Sequence, residues 1–234
     1  MSALVLDAAA AQWVGARERQ NDVTLYGERF VAVADGAGDD LSAAVAADVA
    51  VQVWAQQADS LDSAGTLHGL LGAPAAVARA LTAQGLRSST TYAGAFLDSD
   101  GLVWLTSVGD SRVLLVRRGE VLAVSRPHNR AAEAALTGTD HVPTPQEAVT
   151  LTRSVSCDRP DVPDVAVLAG QPGDLLVVAT DGIDTELALH RLVRVLAAGS
   201  DPQDLADRLV AEVRGVPDAD NASCVVARVV AGAA

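Results

Sequence analysis

Two apolar runs in this chain end in the same pair of letters. FVAVADGAG covers residues 30–38 and DLLVVATDGI covers residues 174–183. Unbroken apolar runs of this length fit strands buried on both faces, so the fold must supply layers above and below them. Each run then closes on Asp-Gly. A carboxylate at the edge of a dry core is costly unless it is paired or holds a cation. Any single Asp-Gly pair is explained by turn chemistry, as Asp100-Gly101 is at a hairpin turn. Asp35 and Asp181 are harder to dismiss, because few basic residues lie near them in sequence. Asp110 follows the apolar stretch LVWLTSV, and Asp220 stands just before the run SCVVARVV. Four buried strands therefore each carry an acid at one end. If the four ends share one edge, their oxygen-only ligand set suits Mg²⁺ or Mn²⁺ rather than zinc.

The order of elements predicts an α+β fold in one domain spanning 1–234, with antiparallel sheets and flanking helices. Residues 41–57 read as a helix after a polar turn at 36–40, with Asp39 or Asp40 at its N-cap. Residues 74–84 read as a second helix with Pro74 in its first turn. Hairpins are predicted at 90–108, turning at Asp98–Gly101, and at 112–125, turning at Arg118–Gly119. A short helix at 131–136 precedes strands at 149–155, 165–168 and 175–179. Helices at 185–198 and 202–214 lead to a closing strand at 223–230.

Composition narrows the partners. A net charge of -13 should repel nucleic acid and anionic membranes, so neither is expected to bind. Cys157 and Cys224 lack CxxC spacing and read as small buried side chains. His68, His128, His141 and His190 are scattered without ligand spacing and read as solvated or satisfied. The first residues lack the basic segment of a signal peptide, and no apolar run reaches the roughly 18 residues of a membrane helix. A cytoplasmic protein is expected.

The order of the motifs resembles the metal-dependent Ser/Thr protein phosphatases of the PPM family, the type 2C phosphatases. The matching pieces are GARERQND (15–22), FVAVADGAG (30–38), SSTTYAGAFLDSDG (88–101), LTSVGDSRVLLVRRGEV (105–121), LTRSV (151–155), DLLVVATDGI (174–183) and DNASCVV (220–226). The resemblance is to bacterial members and runs over nearly the whole chain. It implies a four-layer α-β-β-α sandwich with a centre of two, or three, Mn²⁺ or Mg²⁺ ions on one edge. By resemblance, Asp35 bridges two ions, Gly36 offers its carbonyl to one, and Asp181 and Asp220 complete the direct ligands. Asp110 matches a ligand of a third metal, Arg17 the phosphate-binding arginine, and Asp22 an acid that holds metal water in the outer shell. The implied reaction is attack of a bridging hydroxide on phosphoserine or phosphothreonine in proteins, opposite a Ser/Thr kinase, by a monomer.

The chain departs from the family pattern at several places, among them Thr185, where an acid often follows the TDG ligand, and Ser156, where glycine is common. Asn21 stands where an acid is common, Ala37 replaces a histidine of eukaryotic members, and Asp39-Asp40 replace the Gly-His of bacterial ones. Asp39 and Asp40 are read as helix caps. These changes keep a second reading open, a non-catalytic module that binds a phosphoprotein or kinase. A third reading is an unrelated α+β domain with turn aspartates.

Overall fold

The computed structural model describes residues 3–38, 40–60, 63–138, 142–185, 187–199 and 201–232. Asp39 and His141 lie outside them. The long apolar runs do form buried strands: β10 (Leu175–Ala179) is buried at every position, and β3 (Phe30–Ala37) through most of its length. One antiparallel sheet has the order β1-β11-β10-β7-β8. It joins β1 (Leu4–Trp13), β11 (Ala222–Ala231), β10, β7 (Arg112–Arg117) and β8 (Glu120–Val124). The other has the order β2-β3-β5-β6-β9, with the short β4 (Ser89–Thr90) also paired to β3. Its remaining strands are β2 (Asp22–Tyr26), β5 (Tyr92–Leu97), β6 (Leu102–Val108) and β9 (Asp164–Ala169).

Three cores hold the layers together. Between the sheets, Val31 and Val33 of β3 meet Leu115, Val178 and Val225. Outside the second sheet lie α1 (Leu41–Ser60) and α2 (Ser63–Ala83), whose Ala46, Ala50, Trp54 and Leu70 cover Ala32, Ala34 and Phe96. Outside the first sheet lie α5 (Asp181–Asp184), α6 (Leu189–Ala197) and α7 (Pro202–Val213), with α7 contributing Leu205, Leu209 and Val213. The result is the four-layer α-β-β-α sandwich that the resemblance implies, and it agrees with the antiparallel α+β layers read from the element order. The alanines of α1 let it lie close on β3, and Trp54 stacks on Tyr92 of β5 at 3.7 Å between ring centres.

Several boundaries differ from the sequence reading. β3 does not stop at Ala34 but continues through Asp35 and Gly36, which pairs with Thr90. Pro74 sits inside α2 rather than in a first turn, because the helix starts at Ser63. No strand forms over 149–155; Leu151 and Val155 make only isolated bridges to Asn129 and Thr90. The helix expected over 185–198 is α6, which starts only at Leu189, and α5 at Asp181–Asp184 was not foreseen. β1, not foreseen, pairs with β11 along its whole length. Its Ala-rich stretch has low strand propensity, and tertiary pairing overrides that. Helix α3 (Arg130–Thr137) is capped by Asn129, and α4 (Pro145–Ala148) carries a capping box of Thr144 and Glu147.

Candidate active site

The site lies at one edge of the sandwich, where strands from both sheets deliver acids. Asp22 opens β2 and is paired in register with Asp35 on β3. Asp110 follows β6, Asp181 follows β10 and begins α5, and Asp220 precedes β11. Each of these elements is anchored in the apolar layers, so the carboxylates are carried by a rigid frame.

The glycines explain the second letter of the opening motif. A side chain at Gly36 would overlap the carbonyl of Ala43 in the first turn of α1, and one at Gly182 would overlap the carbonyl of Asn221. Asp-Gly here is thus an acid facing the site followed by a residue whose backbone touches another backbone. Asp40, of the two acids expected to cap α1, does so: its Oδ1 accepts from the Ser42 hydroxyl at 2.6 Å and from Ala43 N–H at 3.2 Å.

The acids share one electrostatic space. Burial, then the charges of Asp22, Asp110 and Asp220, push the Asp35 carboxyl well above the usual range. Burial, then Asp35, Asp110 and Asp220, do the same to Asp181. Burial raises Asp22 to about 7, against the hydrogen bonds of Ser223 and Thr180. Thr180 Oγ1 donates to Asp22 Oδ2 at 2.8 Å, while Asp22 Oδ1 is buried without a partner. Arg17, half exposed, pairs with Asp220 Oδ2 at 2.5 Å. Among the described residues no three His, Cys, Asp or Glu side chains are already drawn to a common point in ligating geometry. The acids face one another across the space, with Arg17 holding Asp220.

The donor set fits a hard divalent cation. It consists of carboxylate oxygens, has an orphaned oxygen on Asp22, and carries an excess of negative charge that raises its own proton affinity. A cleft of about 510 Å³ opens on it, lined by Arg17, Asn21, Asp35, Gly36 and Asp220 among others. All the residues expected at the site lie at this edge. Asp22, Asp110 and Asp181 are not part of that lining, but their charges act on Asp35 or on one another.

Several supporting residues escaped the sequence reading. Asn221 Nδ2 donates to the carbonyls of Val14 and Arg19, and its Oδ1 accepts from Asn21 N–H at 2.7 Å. It therefore ties the Arg17 loop to the base of β11. Thr91 Oγ1 accepts from Asp35 N–H and meets the Ser111 hydroxyl at 2.7 Å, joining β3 to the turn of Asp110. Asn221, Thr91 and Ser111 all stood inside the recognised motifs, next to the acids. Asn21 does not face the cleft as an idle substitute; its Nδ2 donates to the Gly38 carbonyl at 2.7 Å. His128, expected to be a satisfied histidine, is buried and accepts from Gly109 N–H through Nδ1, with Nε2 3.1 Å from Asp164.

Comparison with known proteins identifies the family to which this fold and its cluster of acids belong. The model of the family described as Protein phosphatase 2C matches residues 20–214. The chain belongs to this family. It is similar to the catalytic domain of the serine/threonine protein phosphatase PstP, solved with two manganese ions. The TM-score is 0.83 at 25% identity, over 97% of this chain and 99% of that one. It is also similar to the PPM Ser-Thr phosphatase MsPP from Mycobacterium smegmatis, solved with cacodylate. There the TM-score is 0.79 at 26% identity, over 96% of this chain and 98% of the other. A protein phosphatase 2C of Arabidopsis thaliana is 26% identical over 161 residues, 61% of this chain and 56% of its own length. The chain spans about half the length of the curated relatives it matches.

Proposed function

We infer that this chain is a divalent-metal-dependent protein phosphatase acting on phosphoserine and phosphothreonine, with residues 1–234 working as one domain. The observation that carries the reading is the meeting of Asp22, Asp35, Asp110, Asp181 and Asp220 in one field, beside Arg17 and an open cleft. Asp35, the Gly36 carbonyl, Asp181 and Asp220 are the residues that would hold two Mn²⁺ or Mg²⁺ ions. Asp110 would serve a third, and Asp22 would hold metal water from the outer shell. Ions bound there supply Lewis acidity and a water of lowered pKa.

The chain's own residues do the rest. Arg17 is exposed at the cleft and presents a planar cation that matches phosphoryl oxygens. Thr180 fixes the rotamer of Asp22, and Asn221 fixes the loop that carries Arg17. No histidine among the described residues lines the cleft, which favours solvent or a metal-held water as the source of the proton for the leaving Ser or Thr oxygen. Retention of every acid expected at the site favours turnover over the binding-module reading. No helix among the described residues is long and apolar enough to cross a membrane. The family resemblance, not that absence, supports the reading that the chain acts as a cytoplasmic monomer on proteins phosphorylated by a Ser/Thr kinase.

Phosphate release from phosphothreonine, phosphoserine and phosphotyrosine peptides tests this. Release from the first two that needs Mn²⁺ or Mg²⁺ is expected. Metal-independent release, or none with any of the three peptides, would contradict it.

A further inference from the structure

A second cavity, of about 550 Å³, opens at the free edge of the sandwich, where β8 ends one sheet and β9 ends the other. Its lining has an apolar part and a polar part, which meet where Val113 N–H donates to Ser125 Oγ at 3.0 Å. Leu105, Val113 and Ala123 line the first and belong to, or pack against, the core between the sheets. Ser107, Ser125 and Arg126 line the second. Ser107 is fully buried, and its hydroxyl makes no hydrogen bond; the hydroxyl of its neighbour Thr106 is in the same condition. Buried hydroxyls of this kind disfavour the fold, and an alanine or valine would avoid the cost. Nothing in the proposed chemistry uses them.

The charges of the polar part point to what Ser107 meets. Asp164 stands opposite Ser107 in the β6–β9 register, but Arg153 pairs with it at 2.8 Å and His128 at 3.1 Å. Arg126, partly exposed, makes no hydrogen bond or ion pair among the described residues. A cation without an ionic partner among the described residues, on a chain of net charge -13 and in the same lining as a buried hydroxyl, is an anion-binding arrangement in a partly apolar cavity.

We propose that this cavity binds a small amphipathic monocarboxylate, its carboxylate on Arg126 and the Ser107 hydroxyl, its hydrocarbon body against Leu105, Val113 and Ala123. Its volume falls within the roughly 300–1,000 Å³ of small-molecule sites. The site is separate from the carboxylate edge, and the inference stands whether or not the chain is an active phosphatase.

The test is a titration of the whole chain with octanoate, read by amide chemical shifts, with octan-1-ol and octylamine as controls. Octanoate is expected to give saturable shifts at residues 105–107, 123–126 and 164–166, leaving Asn21, Asp35 and Asp220 unmoved. The alcohol and amine should bind at least about tenfold more weakly, the size of one charge-assisted contact. Arg126→Gln and Ser107→Ala should each weaken octanoate several-fold. Ala166→Phe, at an exposed position of the wall, should block it while the remaining spectrum shows an intact fold. Absence of saturable shifts at these amides would mean the cavity holds water only and would overturn the proposal. Equal binding of octylamine, or shifts centred on Asp35 and Asp220, would overturn it too.

Discussion

At the scale of single residues, the chain separates side chains that do chemistry from side chains that allow a close approach. Asp35 and Asp181 belong to the first kind, Gly36 and Gly182 to the second. Gly182→Ala would force a methyl into the Asn221 carbonyl and is expected to destabilise the fold by about 2 kcal/mol or more. Chemical denaturation checks this, with Gly85→Ala, where a methyl meets nothing within 4 Å, as a contrast set by its positive φ alone. Arg17→Ala removes a phosphoryl donor and should lower kcat/KM by about 10²–10³, with Arg17→Lys intermediate. Steady-state kinetics on a phosphothreonine peptide reads both. Asp35, Asp110, Asp181 and Asp220 were legible in sequence because a charge at the end of an apolar run is anomalous, whereas Asp22 came only with the resemblance. Asn221 was not legible, because a neutral amide before a strand is ordinary, and its three hydrogen bonds reach residues about 200 positions away.

At the scale of elements, short braces fix the turns between strands. His128 accepts from Gly109 N–H and donates its own backbone N–H to the Gly109 carbonyl, so it clamps the turn that carries Asp110. Burial lowers the His128 pKa despite the neighbouring Asp164 carboxylate, so the folded protein favours the neutral ring. The sign follows directly. The stability His128 contributes is present above its unfolded value near 6.5 and is lost as pH falls through that value toward the lower folded one. The buried site acids shift the other way in metal-free protein, their stabilisation fading as pH rises from 3.8. The difference between wild type and His128→Gln therefore isolates the brace. It should be about 1–3 kcal/mol at pH 7.5 and shrink at pH 5.5, read by thermal unfolding in chelator. Most elements were legible from periodicity and turn residues. β1 was not, because LVLDAAAAQW gains its strand only by pairing with β11. The missing strand at 149–155 is the converse, an apolar-polar alternation that finds bridges but no ladder.

At the scale of the whole molecule, two sheets hold acids that repel one another, and the frame tolerates this because three separate cores anchor the strands. A divalent cation that binds the folded chain and not the unfolded one must stabilise it. The gain is about 2.7 kcal/mol at a hundredfold excess over Kd. Thermal unfolding with and without Mn²⁺ checks this. Sheets and helices were legible from their apolar patterns, while the order of the layers came only with the resemblance. The cavity between β8 and β9 was not legible, because it depends on how two edges fail to meet. The central claim is that the acids at the strand ends are one metal centre and not separate turn residues. Calorimetric titration of the metal-free chain with Mn²⁺, beside Asp35→Asn and Asp181→Ala, tests it most directly. The account predicts at least two ions bound by the wild type and fewer, or weaker, in each variant. A wild type that binds none, or variants that titrate like it, would contradict it.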